Sequence, residues 1–140
     1  MFATITYGNR KGADIYAIGA TRKTAVIEVK ASSSSRFVTG FYQKYKTPGQ
    51  EHPTSWVLCS FTEKDGEFNE RFFVLTHREM ALAQARRNDP NGRPYDKRYL
   101  EKWGQRGVDN VVIDGVKKHE SRWDKIVKYC NGRKQSGRSV

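Results

Sequence analysis

Gly12-Ala13-Asp14-Ile15-Tyr16 and, further along the chain, Val26-Ile27-Glu28-Val29-Lys30 decide how this sequence is read. Both stretches are rich in β-branched and apolar residues and are bounded by polar turns, so each is expected to form a strand. Alternate residues of a strand share a face. Glu28 and Lys30 therefore point one way, while Ile27 and Val29 point into the core. Asp14 opens the neighbouring strand, joined through a short turn, so its carboxylate can lie beside Glu28. Two carboxylates and an ammonium would then converge at one edge of a sheet. Carboxylate pairs repel unless something positive sits between them, and Mg²⁺, a hard ion preferring octahedral oxygen, suits that position. A bound metal lowers the pKa of its water and stabilises charge building on a phosphate. Lys30 would orient or activate that water, or neutralise the pentavalent phosphorus. The plainer reading is an exposed sheet face with a salt bridge between Lys30 and Asp14 or Glu28. The acid-x-Lys pattern alone does not choose between them.

Outward from this pair, residues 2–7 read as a strand, 8–12 as a turn, 13–18 as the returning strand and 24–30 as a third. The expectation is a meander of short antiparallel strands. Ser32-Ser33-Ser34-Ser35 is a polar break. In residues 36–53, Phe37, Phe41 and Tyr45 have helical spacing, whereas Thr39, Gly40 and Thr47-Pro48-Gly49 favour an ordered loop. Residues 55–62 and 71–76 read as strands joined by an acidic loop, 63–70. Thr76-His77-Arg78-Glu79 has the form of a capping box. The helix it starts is expected to run to Arg87 and stop at Asp89-Pro90-Asn91-Gly92. A helical stretch over 95–103, a short apolar run Val111-Val112-Ile113 and an amphipathic helix over 120–129 follow. Strands first and helices around them predict an α/β (α+β) mixed layer. Residues 1–131 form one domain in this reading, and 132–140 a disordered basic tail.

The 140 residues suffice for one domain, and 36% of them are hydrophobic. Mean hydropathy is −0.81. No apolar run approaches the roughly 18 residues of a membrane span, and the start lacks the order of a signal peptide. Two cysteines, Cys59 and Cys130, make no disulfide framework, and no zinc-ligand spacing exists. A reducing cytoplasm is expected. Net charge is +11, and it is uneven: residues 1–50 and 117–140 each carry +6, whereas 51–71 carry −3. Phosphate is the usual partner of such basic surface.

The order Gly-x-Asp, then an apolar strand bearing Glu-x-Lys, resembles the PD-(D/E)xK, or restriction-endonuclease-like, nuclease superfamily, most closely its small Holliday-junction-resolvase-like members. The resemblance rests on residues 12–30. It implies that Asp14, Glu28 and the backbone carbonyl of Val29 bind Mg²⁺ or Mn²⁺, and that Lys30 is the catalytic lysine. It also implies a mixed central sheet flanked by helices and a DNA substrate. The chain begins directly on a strand, without the family's N-terminal core helix. Gln43 is the candidate for the accessory polar residue that the superfamily often places after the lysine strand.

Arg10, Lys11, Arg36, Lys44 and Lys46 are the candidates for contact with nucleic acid. Tyr42 and Tyr45 either stack on bases or cover core. His52, His77 and His119 share no ligand spacing. Ile5, Ile15, Ile27 and Val29 need cover on the side that lacks a helix, from the helix at 76–87, from the C-terminal helix near Trp123, or from a second copy in a homodimer. The leading functional expectation is a metal-dependent nuclease acting on DNA. A non-catalytic nucleic-acid-binding module, or an assembly subunit keeping the nuclease fold, is the alternative.

Overall fold

The computed structural model describes residues 2–5, 14–19, 23–45, 51–91 and 108–132. A five-stranded mixed sheet forms its centre, built from β1 (Phe2–Ile5), β2 (Ile15–Ile18), β3 (Thr24–Ser32), β5 (Ser55–Lys64) and β6 (Glu67–Thr76) in the order β1-β2-β3-β5-β6. The first three strands form the expected antiparallel meander, with Ile15 opposite Ile27 and Ala17 opposite Ala25. β5 then pairs parallel to β3, with Glu28 beside Trp56 and Lys30 beside Leu58.

A parallel pair needs a crossover. Here the crossover includes β4 (Arg36–Val38) and α1 (Phe41–Tyr45), a short strand followed by a single helical turn, while the Thr47-Pro48-Gly49 part of the ambiguous segment lies outside the described residues. The serine run makes the bend before it: Ser32 Oγ accepts from the Ser34 amide at 3.0 Å and Ser34 Oγ from the Arg36 amide at 3.2 Å. At the far end Thr54 clips the start of β5 to β3, its Oγ1 accepting from the Val26 amide at 2.9 Å.

The acidic segment is not a loop. β5 and β6 pair antiparallel up to Lys64 opposite Glu67, leaving a turn of only Asp65 and Gly66. Both have positive φ, 54° and 80°, as the tightest hairpin turns require. The strand pattern is legible there only through that Asp-Gly pair, because the hairpin tip is solvated on both faces and its side chains do not alternate.

α2 (His77–Asn88) starts on the predicted capping box, with Thr76 Oγ1 accepting from the Glu79 amide and Glu79 Oε1 from the Thr76 amide. β7 (Asn110–Val112) pairs antiparallel with β4, and α3 (Ile113–Val116) and a 3₁₀ turn (Lys117–His119) follow. The last helix, α4 (Asp124–Cys130), is shorter than expected. Its predicted first turn is instead a bend in which Ser121, at φ 56°, donates its amide to the Phe72 carbonyl, protecting the β6 edge. The predicted helix over 95–103, the turn at 8–12 and the tail after 132 lie outside the described residues. Among the described residues, no helix is long and apolar enough to cross a membrane.

Each sheet face carries a core. Trp56, Leu58, Phe73 and Leu75 on one face meet Phe37, Phe41, Met80, Ala81, Val111 and Val116. Ala17, Ala25, Ile27, Val57 and Val74 on the other meet Ile126 and Cys130 of α4, with Ile15 and Val29 packed against them. Burying each large apolar side chain stabilises by roughly 1.5–3 kcal/mol. Around Ile15, Ile27 and Val29 the face expected to need a helix or a second copy is thus covered by the C-terminal helix, which removes the packing argument for a dimer there; the side chain of Ile5 lies outside the described residues. Gly19 permits the close fit: a Cβ there would collide with the Cys130 carbonyl.

Candidate active site

β3 runs on past the start of β2, and Asp14 fills the step. Its amide donates to the Ile27 carbonyl at 2.9 Å, and its Oδ2 accepts from the Val29 amide at 2.8 Å. The carboxylate thus continues the ladder by one rung beyond the Ile15–Ile27 pair at which β2 begins. The amide and carbonyl of one strand residue face the same neighbour. The Val29 carbonyl therefore faces the edge on which Asp14 sits.

Glu28 projects from the next position onto the face that carries Trp56. The salt bridge to Lys30 of the plainer reading is present, but not on an exposed face: Glu28 is only 6% exposed. Lys30 Nζ lies 3.3 Å from Glu28 Oε2, and Lys44 Nζ, arriving from α1, lies 3.5 Å from the same oxygen. The other oxygen, Oε1, is buried with no hydrogen-bond partner. An unmatched buried carboxylate oxygen costs on the order of 1–3 kcal/mol or more, and Oε1 keeps its capacity to accept from, or bind, a further partner.

Tyr45 forms the roof. Burial, the charge of Glu28, a hydrogen bond to Glu28 and the charge of Asp14, in that order, push its phenol up to about 12. Both carboxylates therefore act on one hydroxyl, which stays protonated and donates. Tyr45 also packs edge-on against Trp56 and His77. His77 stacks on His52, with ring centroids 3.8 Å apart, and accepts the Trp56 Nε1–H at Nδ1. Burial, then the neighbouring His52, lower the His77 pKa to about 4, so the His77 ring is uncharged near neutrality.

Asp14, Glu28 and Lys30 are thus brought together. Lys44, expected to grip nucleic acid, instead pairs with Glu28, because α1 places it directly over the carboxylate. Arg36 is exposed on β4. Arg10, Lys11 and Lys46 lie outside the described residues, as does the side chain of Gln43, whose backbone belongs to α1. Sequence reasoning missed Tyr45 as a partner of Glu28. Its spacing four residues after Phe41 signalled a helix facing the core, but not which strand residue it would meet.

The donor set fits a hard cation: two carboxylates, one with an unpartnered oxygen, and a backbone carbonyl on the same edge. Among the described residues no three His, Cys, Asp or Glu side chains cluster as a metal site. A cation here would complete its shell with the carbonyl and water, as Mg²⁺ commonly does. Compared with protein-family models, with curated proteins and with solved structures, the chain matches none.

Proposed function

We propose that the chain is a metal-dependent nuclease of PD-(D/E)xK type that hydrolyses DNA phosphodiester bonds at Asp14, Glu28 and Lys30. The observation that carries this reading is the buried, unpartnered Glu28 Oε1 beside a carboxylate, Asp14, that already spans the strand edge. Asp14, Glu28 and the Val29 carbonyl would hold Mg²⁺ or Mn²⁺. The ion would supply an acidified water and charge neutralisation at the phosphate.

The chain's own residues have separate tasks. Lys30, with its side chain 26% exposed, can leave Glu28 to meet the negative charge growing on the phosphate. Lys44, arriving from α1, keeps a positive charge on Glu28 when Lys30 does so. The Tyr45 hydroxyl donates to Glu28 and fixes the carboxylate's rotamer. The aromatic wall of Trp56, His77 and His52 limits water access from that side and strengthens electrostatics within the site. The net charge of +11 draws a polyanion to the surface.

The double pairing of Glu28 to Lys30 and Lys44 favours a second reading, a nucleic-acid-binding module whose carboxylate is simply neutralised. One assay separates the two. Plasmid, duplex and branched DNA are incubated with Mg²⁺ or Mn²⁺ and wild type, Lys30→Met or Asp14→Asn protein. The nuclease reading expects cleavage by wild type that falls at least about 100-fold in either variant. Binding without metal-dependent cleavage would leave the module, and equal cleavage by all three proteins would remove the assigned site.

A further inference from the structure

A hollow of about 380 Å³ lies between α2 and residues 115–122. It shares no residue with the Asp14–Glu28 site. Its walls carry Arg86, Lys118, Arg122 and His119 against a single carboxylate, Glu79, with Leu82 and Ala83 as an apolar side.

The charges inside it are not balanced. Glu79 is committed elsewhere: Oε1 accepts from the Thr76 amide and from Lys125 Nζ, each at 2.9 Å. Arg122 forks onto Asp124 at 2.9 and 3.0 Å. Arg86 and Lys118 are exposed and have no ion-pair partner among the described residues.

His119 is only 6% exposed, and its orientation is fixed. Lys125 Nζ lies 2.7 Å from His119 Nδ1. An ammonium only donates, so Nδ1 accepts and the ring proton sits on Nε2. Glu79 Oε2, at 3.7 Å from Nδ1, is too far to compete. Nε2 makes no hydrogen bond with any described residue and is not among the buried unpartnered atoms. Its N–H is left for the hollow. Burial, then the positive charge of Lys125, lowers the ring's pKa against the opposing charge of Glu79, with Lys118 and Arg122 acting in the same direction as Lys125. Three cations therefore bear on this one point.

We propose that this hollow is a phosphomonoester site, in which Arg86, Lys118 and Arg122 hold the phosphate, His119 Nε2–H donates to it, and Leu82 and Ala83 receive an apolar or aromatic body. Guanidinium and ammonium groups with one directed N–H match a dianion with several acceptor oxygens. The volume lies within the roughly 300–1,000 Å³ of small-molecule sites, more than phosphate alone would fill. The ligand's chemistry is that of a nucleoside 5′-monophosphate, whether free or as the 5′ end of a strand. The inference does not rest on the nuclease reading.

Isothermal titration of the full chain in EDTA tests it, with deoxythymidine 5′-monophosphate, thymidine, and 5′-phosphorylated and 5′-hydroxyl oligonucleotides as probes. The monophosphate is expected to bind at least 10-fold more tightly than thymidine. Binding should shift the His119 side-chain resonances in an NMR titration. The double variant Arg86→Ala/Lys118→Ala should lose at least 10-fold in affinity at unchanged Tm. Lys23→Ala/Lys64→Ala, which removes the same charge away from the hollow, should not. Competition by the 5′-phosphorylated but not the 5′-hydroxyl strand supports a strand end as the source, and no competition by either supports the free nucleotide. Equal binding of thymidine, equal loss in both double variants, or unmoved His119 resonances would overturn the proposal.

Discussion

Asp14 and Val29 are joined by a hydrogen bond from the Val29 amide to Asp14 Oδ2, 2.8 Å long, at the step where β3 runs on past β2. One side chain thereby does the work of a backbone carbonyl and keeps a negative charge at the sheet edge. The two tasks separate by substitution. An Asn side chain can still accept from the Val29 amide but carries no charge. Asp14→Asn should leave stability within about 0.5 kcal/mol of wild type, whereas Asp14→Ala should lose about 0.5–1.5 kcal/mol with the hydrogen bond. Both should weaken Mn²⁺ binding at least 10-fold in a calorimetric titration. Unchanged Mn²⁺ affinity in Asp14→Asn would remove Asp14 from the metal site.

Glu28 offers a test that contrasts structure with function. Breaking a buried ion pair that holds a fold together costs roughly 3–5 kcal/mol. Glu28 is buried, but its partners Lys30 and Lys44 are 26% and 47% exposed, so they return to water at little cost. Its Oε1 is also unpartnered. Glu28→Gln should therefore change unfolding free energy by less than about 1 kcal/mol in urea, while the DNA cleavage proposed above should be lost. A loss of several kcal/mol would identify Glu28 as a structural ion-pair residue.

How much of this was legible follows from which interactions are local. The meander, the Thr76–Glu79 capping box and the alternation of Glu28 and Lys30 all depend on residues near in sequence, and the structure bears them out. The face that α4 covers was not legible, because Ile126 and Cys130 reach Ala17 and Ala25 from more than half the chain away. The long hairpin was misread because its tip buries nothing, so no alternation marks residues 61–70. Tyr45 and Lys44 converge on Glu28 only because β5 pairs parallel to β3, which forces the crossover over that face. A short segment with one helical turn carries too few periodic residues to announce such a meeting.

The cover supplied by α4 yields the next expected outcome. Gly19 lies against the Cys130 carbonyl, which is backbone and cannot turn aside. Gly19→Ala must push α4 away from the sheet, and overpacking of this kind typically costs about 1–3 kcal/mol. Ile126→Ala, which opens a cavity under the same helix, should cost about 2–5 kcal/mol. Both loosen the packing of α4 on the sheet, so the double variant should lose less than the sum of the singles. Additive losses in urea denaturation would show that the two sites do not couple through α4.

His77 gives the fold a dependence on pH whose sign can be worked out. Its pKa falls from an ordinary 6.5 to about 4 in the folded chain, through burial first and then the neighbouring His52. The unfolded chain therefore binds a proton at pH 5 that the folded chain refuses. The stabilising contribution is complete above about pH 6.5 and is lost as pH falls toward 4. Because the ring is only partly buried, solvent screening reduces the full shift to about 1–2 kcal/mol. The physical event is visible: Nδ1 accepts the Trp56 indole N–H at 3.1 Å, and protonating it breaks that bond. Urea midpoints measured from pH 7.5 to 4.5 should fall for wild type, with Trp fluorescence changing in step. Burial also lowers the His119 pKa, so the slope should not vanish in His77→Phe, but it should be clearly shallower. A slope identical to wild type in that variant would show that His77 does not set the acid limit of this fold.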